Sequence, residues 1–152
     1  MCAPVFRRGE SLQSGVAGIL RAASPAMAPE TASTVCIVDD DAAVRSAVSL
    51  LVQSCGWKSI PFASGADFLT AIAEQSPACV LLDLQMPGMD GLTVQRELIR
   101  RGFSAPVIVT TAFSDHPSVE KALQNGALRV ISKPFRPREL IDAIASVVNP
   151  LK

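Results

Sequence analysis

Cys79-Val80-Leu81-Leu82-Asp83-Leu84-Gln85-Met86-Pro87-Gly88-Met89-Asp90-Gly91 is the stretch that decides how the chain is read. An apolar run ends on a single carboxylate, and proline and glycine then force a loop. A run of about four to eight apolar residues bounded by turn signals reads as a buried strand. Asp83 is therefore placed where a central strand leaves its sheet. In open α/β folds ligands bind there, in the crevice at the carboxyl ends of the strands.

Working outward, the chain from Thr34 onward alternates two periods. Thr34-Val35-Cys36-Ile37-Val38 is a β-branched run that ends in Asp39-Asp40-Asp41. Val44, Val48, Leu51, Val52 and Cys55 then recur at the spacing of one helix face, with Asp41 as N-cap and Gly56 as terminator. Residues 57–62 read as a second strand. Ser64 caps a helix whose apolar stripe is Phe68, Leu69 and Ile72. Strand three is residues 78–83, followed by a helix from Leu92 to Arg101 that Gly102 ends. Residues 106–111 form strand four, and residues 117–125 a helix with Asp115 or His116 at its start. Leu128 to Ser132 is strand five. The last helix starts near Pro137, a residue suited to a first turn, and stops before Pro150.

The strands are apolar on both faces, as expected where helices cover both sides of a parallel sheet. Crossovers are right-handed. The expected fold is α/β: a five-stranded parallel sheet of order 2-1-3-4-5, doubly wound with five helices, the flavodoxin-like arrangement. Residues 1–33, rich in Ala, Ser, Pro and Gly, read as a disordered tail, and residues 34–149 as one domain. The tail's Arg7, Arg8 and Arg21, with few acids, bear a loose likeness to an organellar transit peptide, and Met27 offers a second start.

Composition narrows the function classes. Fourteen basic residues balance fourteen acidic ones, so net charge gives no sign of a nucleic-acid or membrane partner. No apolar run approaches the roughly 20 residues of a membrane helix. Cys2, Cys36, Cys55 and Cys79 lack CxxC spacing and paired histidines, which argues against zinc. Cys36 and Cys79 fall in strands, and Cys55 on the apolar side of the first helix. They read as buried free thiols of a cytoplasmic protein.

Strand one ends at Asp39-Asp40, strand three at Asp83, strand four at Thr111 and strand five at Ser132-Lys133. The topology brings these ends to one edge. Clustered carboxylates repel one another unless a cation neutralises them. Mg²⁺ suits such a cluster, because it takes one or two carboxylates, keeps waters and reserves positions for phosphate oxygens. A carboxylate beside a metal, a lysine and a hydroxyl is equipped to accept a phosphoryl group. Taken singly, each residue has an ordinary reading. Three aspartates make a solvated turn and N-cap, a buried Asp83 caps a loop, Thr111 is a β-former, and Lys133-Pro134 is a plain loop.

Together these residues resemble the receiver domain of two-component response regulators. The resemblance rests on Ile37-Val38-Asp39-Asp40-Asp41, Leu82 to Gly91, Val109-Thr110-Thr111-Ala112 and Ser132-Lys133-Pro134-Phe135, and it spans Thr34 to Val148. Thr111 to Asp115, Val119 to Leu123 and Asn125-Gly126-Ala127 look most like the FixJ subgroup. The resemblance implies that Asp83 is the phosphoacceptor, Asp40 a direct Mg²⁺ ligand, Asp39 a ligand through water, and the backbone carbonyl of Gln85 a further ligand whose side chain is free to vary. It implies that Thr111 is the switch hydroxyl, that Lys133 pairs with the phosphoryl group, and that Lys133-Pro134 is cis. The expected activity is acceptance of a phosphoryl group from a sensor histidine kinase or phosphotransfer protein, switching the face of the fourth helix, fifth strand and fifth helix. The protein is then a switch rather than a turnover enzyme.

Two features depart from the pattern. The position of the aromatic switch residue holds Val130, and the chain contains no tyrosine. No effector sequence follows Lys152 and no basic recognition helix is evident, so a stand-alone receiver is expected, with no direct nucleic-acid binding. Output then passes to a partner protein or a phosphorylation-dependent dimer, with Lys121, Arg129, Arg136 and Arg138 as a candidate docking face or an ordinary solvated one. A constitutive partner-binding or phosphate-sink receiver is the rival reading. An Asp-nucleophile phosphohydrolase is a weaker rival, because such enzymes place a second acid where this chain has Gln85.

Overall fold

The computed structural model describes residues 33–148. The readings of the tail, the transit-peptide likeness, Met27 and Cys2 lie outside the described residues. Within them, strands β1 (Thr34–Val38), β2 (Lys58–Phe62), β3 (Cys79–Asp83), β4 (Val107–Thr111) and β5 (Arg129–Ser132) alternate with helices α1 (Ala42–Ser54), α2 (Gly65–Ala71), α3 (Gly91–Arg100), α4 (Pro117–Gln124) and α5 (Pro137–Val148). All pairings are parallel, in the order β2-β1-β3-β4-β5. The expected topology is the one observed. A 3-10 turn, Ile72–Glu74, follows α2, so Ile72 of the expected stripe lies just past the end of the α-helix.

Alternation along the central strands explains why they read as continuous apolar runs. Val35, Ile37, Cys79 and Leu81 face one side and pack with Val48 and Val52 of α1 and with Leu140, Ala143 and Ile144 of α5. Cys36, Val38, Val80 and Leu82 face the other and pack with Phe68 and Leu69 of α2 and Val94 and Leu98 of α3. Each central strand residue is thus covered by a helix, whichever way it points. The edge strands β2 and β5 are only partly covered and carry exposed Lys58 and Arg129.

Local chemistry sets the helix ends. Asp41 accepts hydrogen bonds from the Ala43 and Val44 amides, and Ser64 from the Asp67 amide. His116, one of the two expected starts of α4, accepts from the Ser118 amide through its ring, with Pro117 at the first helical position. Helix α3 begins one residue earlier than its apolar spacing suggests, because Asp90 caps it by accepting from the Thr93 amide. Cys55 is a correction: it is the C-cap of α1 and is exposed, because the helix ends before its turn would carry the side chain inward. Cys36 and Cys79 are buried as expected, and burial pushes their thiols up to about 11 and about 12, the second also by the charge of Cys36. No helix among the described residues is long and apolar enough to cross a membrane.

Candidate functional site

The register places the expected residues at one edge. Val38 pairs with Leu82, so Asp39 follows β1 level with Asp83 at the end of β3. Asp83 pairs with Thr110 of β4, and Thr111 with Ser132 of β5. Lys133 follows and donates its backbone amide to the Thr111 carbonyl at 2.7 Å. The Lys133-Pro134 bond is cis, as the resemblance implied.

Asp39, Asp40 and Asp83 each offer a carboxylate oxygen, and the three oxygens lie within 4.8 Å of one another. Asp39 and Asp83 are only 3% and 4% exposed, whereas Asp40 is open to solvent. Asp39 is held hardest. One carboxylate oxygen accepts from the Asp41 amide at 2.9 Å and the other from Lys133 Nζ at 2.8 Å. Its backbone is held as well: the Asp39 amide donates a hydrogen bond to the Phe62 carbonyl, and Arg45 Nη1 donates to the Asp39 carbonyl at 2.8 Å.

Asp83 has weaker support. Its Oδ1 accepts from the Gln85 amide at 3.2 Å, and its Oδ2 lies 3.4 Å from Lys133 Nζ. Burial, then the charge of Asp39, push its carboxyl from an ordinary 3.8 up to about 6, and Lys133 and the Gln85 amide only partly oppose them. Burial alone would lower the pKa of the Lys133 ammonium. Its hydrogen bond to Asp39 and the charges of Asp83 and Asp39 outweigh that and hold it above the ordinary value. One lysine therefore serves two buried carboxylates, and the site remains short of positive charge.

That shortage, with hard oxygen donors and no imidazole or thiolate among them, fits a divalent cation of the Mg²⁺ type. Asp39, Asp40 and Asp83 would hold it.

The β3–α3 loop is shaped by two glycines. Gly88 has φ +78°, where side chains are strained, and it turns the chain after Pro87. Gly91 opens α3 directly over the strand end. A Cβ there would lie 2.6 Å from the Asp83 carbonyl oxygen and 2.8 Å from Leu84 Cα. The loop frames Asp83 without exposing it.

Thr111 is fully buried. Its hydroxyl donates to Gln85 Oε1 at 2.8 Å and accepts from the Phe113 amide at 3.0 Å. The Gln85 side chain is therefore engaged, in addition to the backbone role that the resemblance implies for this residue. That contact and the Arg45 clamp escaped the sequence reading, since neither residue type signals such a role. Gly91 sat in the quoted stretch, but its close approach to Asp83 needs the fold to be seen. Val130 is half-buried and packs with Leu84, Val109, Ala122 and Ala127 between β4 and α4. Lys121, Arg129, Arg136 and Arg138 are exposed.

Residues 35–145 match the family model described as the response regulator receiver domain. Among curated proteins the chain is similar to the response regulator protein TmoT of Ectopseudomonas mendocina, 40% identical over 117 residues, which are 77% of this chain and 53% of that one. It is also similar to the DNA-binding response regulator MtrA of Mycobacterium leprae, 36% identical over 70% of this chain and 47% of that one. The chain thus spans about half the length of these curated relatives. Among solved structures it is similar to FixJ-N, with a TM-score of 0.72 and 31% identity over 79% of this chain and 96% of that one.

Proposed function

Because the chain belongs to the response regulator receiver domain family, we propose that Asp83 is its phosphoacceptor and that Asp39, Asp40, Asp83 and the backbone carbonyl of Gln85 bind Mg²⁺. The observation that carries this reading is the convergence of Asp39, Asp40, Asp83 and Lys133 from three separated strand ends. A solvated acidic turn explains Asp40 and Asp41, but not two buried carboxylates sharing one lysine.

The donor is a phosphohistidine on a sensor histidine kinase or phosphotransfer protein. An Asp83 carboxylate oxygen attacks phosphorus in line, the new P–O bond forms as the P–N bond breaks, and the electron pair returns to the histidine ring. With its pKa near 6, Asp83 is ionised and nucleophilic at neutral pH. Lys133 stands 3.4 Å from its Oδ2, placed to face charge on the transferring group, and Asp39 holds the ammonium there. A bound Mg²⁺ would neutralise phosphoryl oxygens and the carboxylate cluster. Thr111 supplies a hydroxyl to the product. Rearrangement of Thr111 then biases α4 and β5, which share the cluster around Ala122 and Val130. Water then hydrolyses the acyl phosphate, releasing inorganic phosphate and restoring the Asp83 carboxylate, so the protein works as a switch, in the cytoplasm.

Output passes from this domain to another protein or to a second copy through α4, β5 and α5. The exposed Lys121, Arg129, Arg136 and Arg138 suit that contact to an acidic protein partner. Packing of Val130 in the α4 cluster favours a second reading, a constitutive binder or phosphate sink, in which phosphorylation leaves this face unchanged.

Acetyl phosphate with Mg²⁺ is expected to add one phosphoryl group to the wild type by intact-mass measurement and none to Asp83→Asn. Equal labelling of the variant overturns the assignment. Amide chemical shifts of α4 and β5 that do not move on phosphorylation select the second reading.

A further inference from the structure

The donors beside Asp83 are already occupied by a side chain that the transfer does not use. Thr111 Oγ1 and the Ala112 backbone amide both donate to Gln85 Oε1, at 2.8 and 3.2 Å. A hydroxyl and a backbone N–H converging on one oxygen form a donor pair of the kind that stabilises an anionic oxygen. Thr111 has one hydroxyl hydrogen, and Gln85 holds it. The lone pair on the other side of that hydroxyl is engaged by the Phe113 amide, so the group is oriented from both directions.

Gln85 is also tied to the acceptor, because its own amide donates to Asp83 Oδ1. Its main chain therefore serves Asp83 while its side chain spans to the end of β4. The side chain is half-buried and lines an open groove of about 500 Å³ with Leu84, Met86, Pro87, Phe113 and His116. The carboxamide can leave Thr111 for that groove without repacking the core.

We propose that the Gln85 carboxamide oxygen stands in for a phosphoryl oxygen in the resting protein, occupying the Thr111 and Ala112 donors until a phosphoryl group on Asp83 displaces it. This rests on Asp83 being the phosphoacceptor. A neutral amide oxygen is a weaker acceptor than a charged phosphoryl oxygen, whose hydrogen bonds are roughly twice as strong, so the carboxamide yields rather than blocks. Gln85 is thus a positioning residue that sets how readily the switch hydroxyl is released.

The test uses beryllium fluoride, a phosphoryl analogue, titrated with saturating Mg²⁺ into the full chain and followed by the Ala112 backbone amide resonance, which every variant below retains. Gln85→Met keeps the side-chain length and the backbone but removes the acceptor. It is expected to tighten apparent binding by roughly two- to tenfold, the range set by freeing the Thr111 hydroxyl, the longer and solvent-exposed Ala112 hydrogen bond adding little. Most of that gain is expected to vanish in a Thr111→Val background and to persist in Thr111→Ser, which keeps the hydroxyl. Unchanged or weaker binding by Gln85→Met overturns the stand-in role, as does an equal gain in Thr111→Val. Failure of the wild type both to bind the analogue and to be labelled by acetyl phosphate overturns the acceptor reading itself.

Discussion

Replacing Asp83 by asparagine is expected to stabilise the metal-free protein, and the size of the gain follows from the site. Ionised Asp83 is buried beside Asp39, and its pKa stands at about 6 against an ordinary 3.8. At 1.36 kcal/mol per pKa unit, the ionised form costs the fold about 3 kcal/mol relative to the neutral one. Between these two pKa values the folded protein holds a proton that the unfolded chain has lost. Stability from this group therefore falls as pH rises from about 4 to about 6, and levels off above. Asparagine stays neutral throughout and keeps an oxygen for the Gln85 amide. Without metal, Asp83→Asn should match the wild type near pH 4 and exceed it by about 1–3 kcal/mol at pH 8.

Urea unfolding followed by the fluorescence of Trp57, which is buried in the core shared by α1 and α5, measures both proteins across that range. Mg²⁺ should then narrow the gap, since an ion at ten times its Kd adds about 1.4 kcal/mol to the protein that binds it. A variant no more stable than the wild type at pH 8, or a gap independent of pH, would refute the reasoning.

Other perturbations probe the surrounding frame. Lys133→Met strands Asp39 and Asp83 without their shared cation and is expected to cost about 1–3 kcal/mol at pH 8, read from the urea midpoint, with part of the loss restored by Mg²⁺. Gly91→Ala drives a methyl to within 2.6 Å of the Asp83 carbonyl, and should cost about 1–3 kcal/mol and slow acetyl phosphate labelling even where the protein stays folded. Among the described cysteines, Cys55 should react with a thiol reagent at pH 8 in the native protein. Cys36 and Cys79 should react only after unfolding, as peptide mapping of the labelled protein will show.

What the chain declared by itself was the fold and which residues meet at the candidate site. Period and punctuation are local properties. An apolar run closed by Pro87-Gly88, helix faces at a spacing of three and four, and aspartates at two strand ends are legible because backbone preference and burial act over a few residues. Asp83, Asp39, Asp40, Thr111 and Lys133 were found that way, since a parallel sheet of known order sends its carboxyl ends to one edge. Tertiary structure alone decided how those residues are engaged. Lys133 is 94 positions from Asp39 and chooses it as the nearer partner, and Gln85 reaches across 26 positions to hold the Thr111 hydroxyl. Cys55 ended outside the core because a helix stopped one residue short of it. Hydrogen-bond partners depend on ångström-scale distances between segments remote in sequence, and no periodicity along the chain encodes those distances.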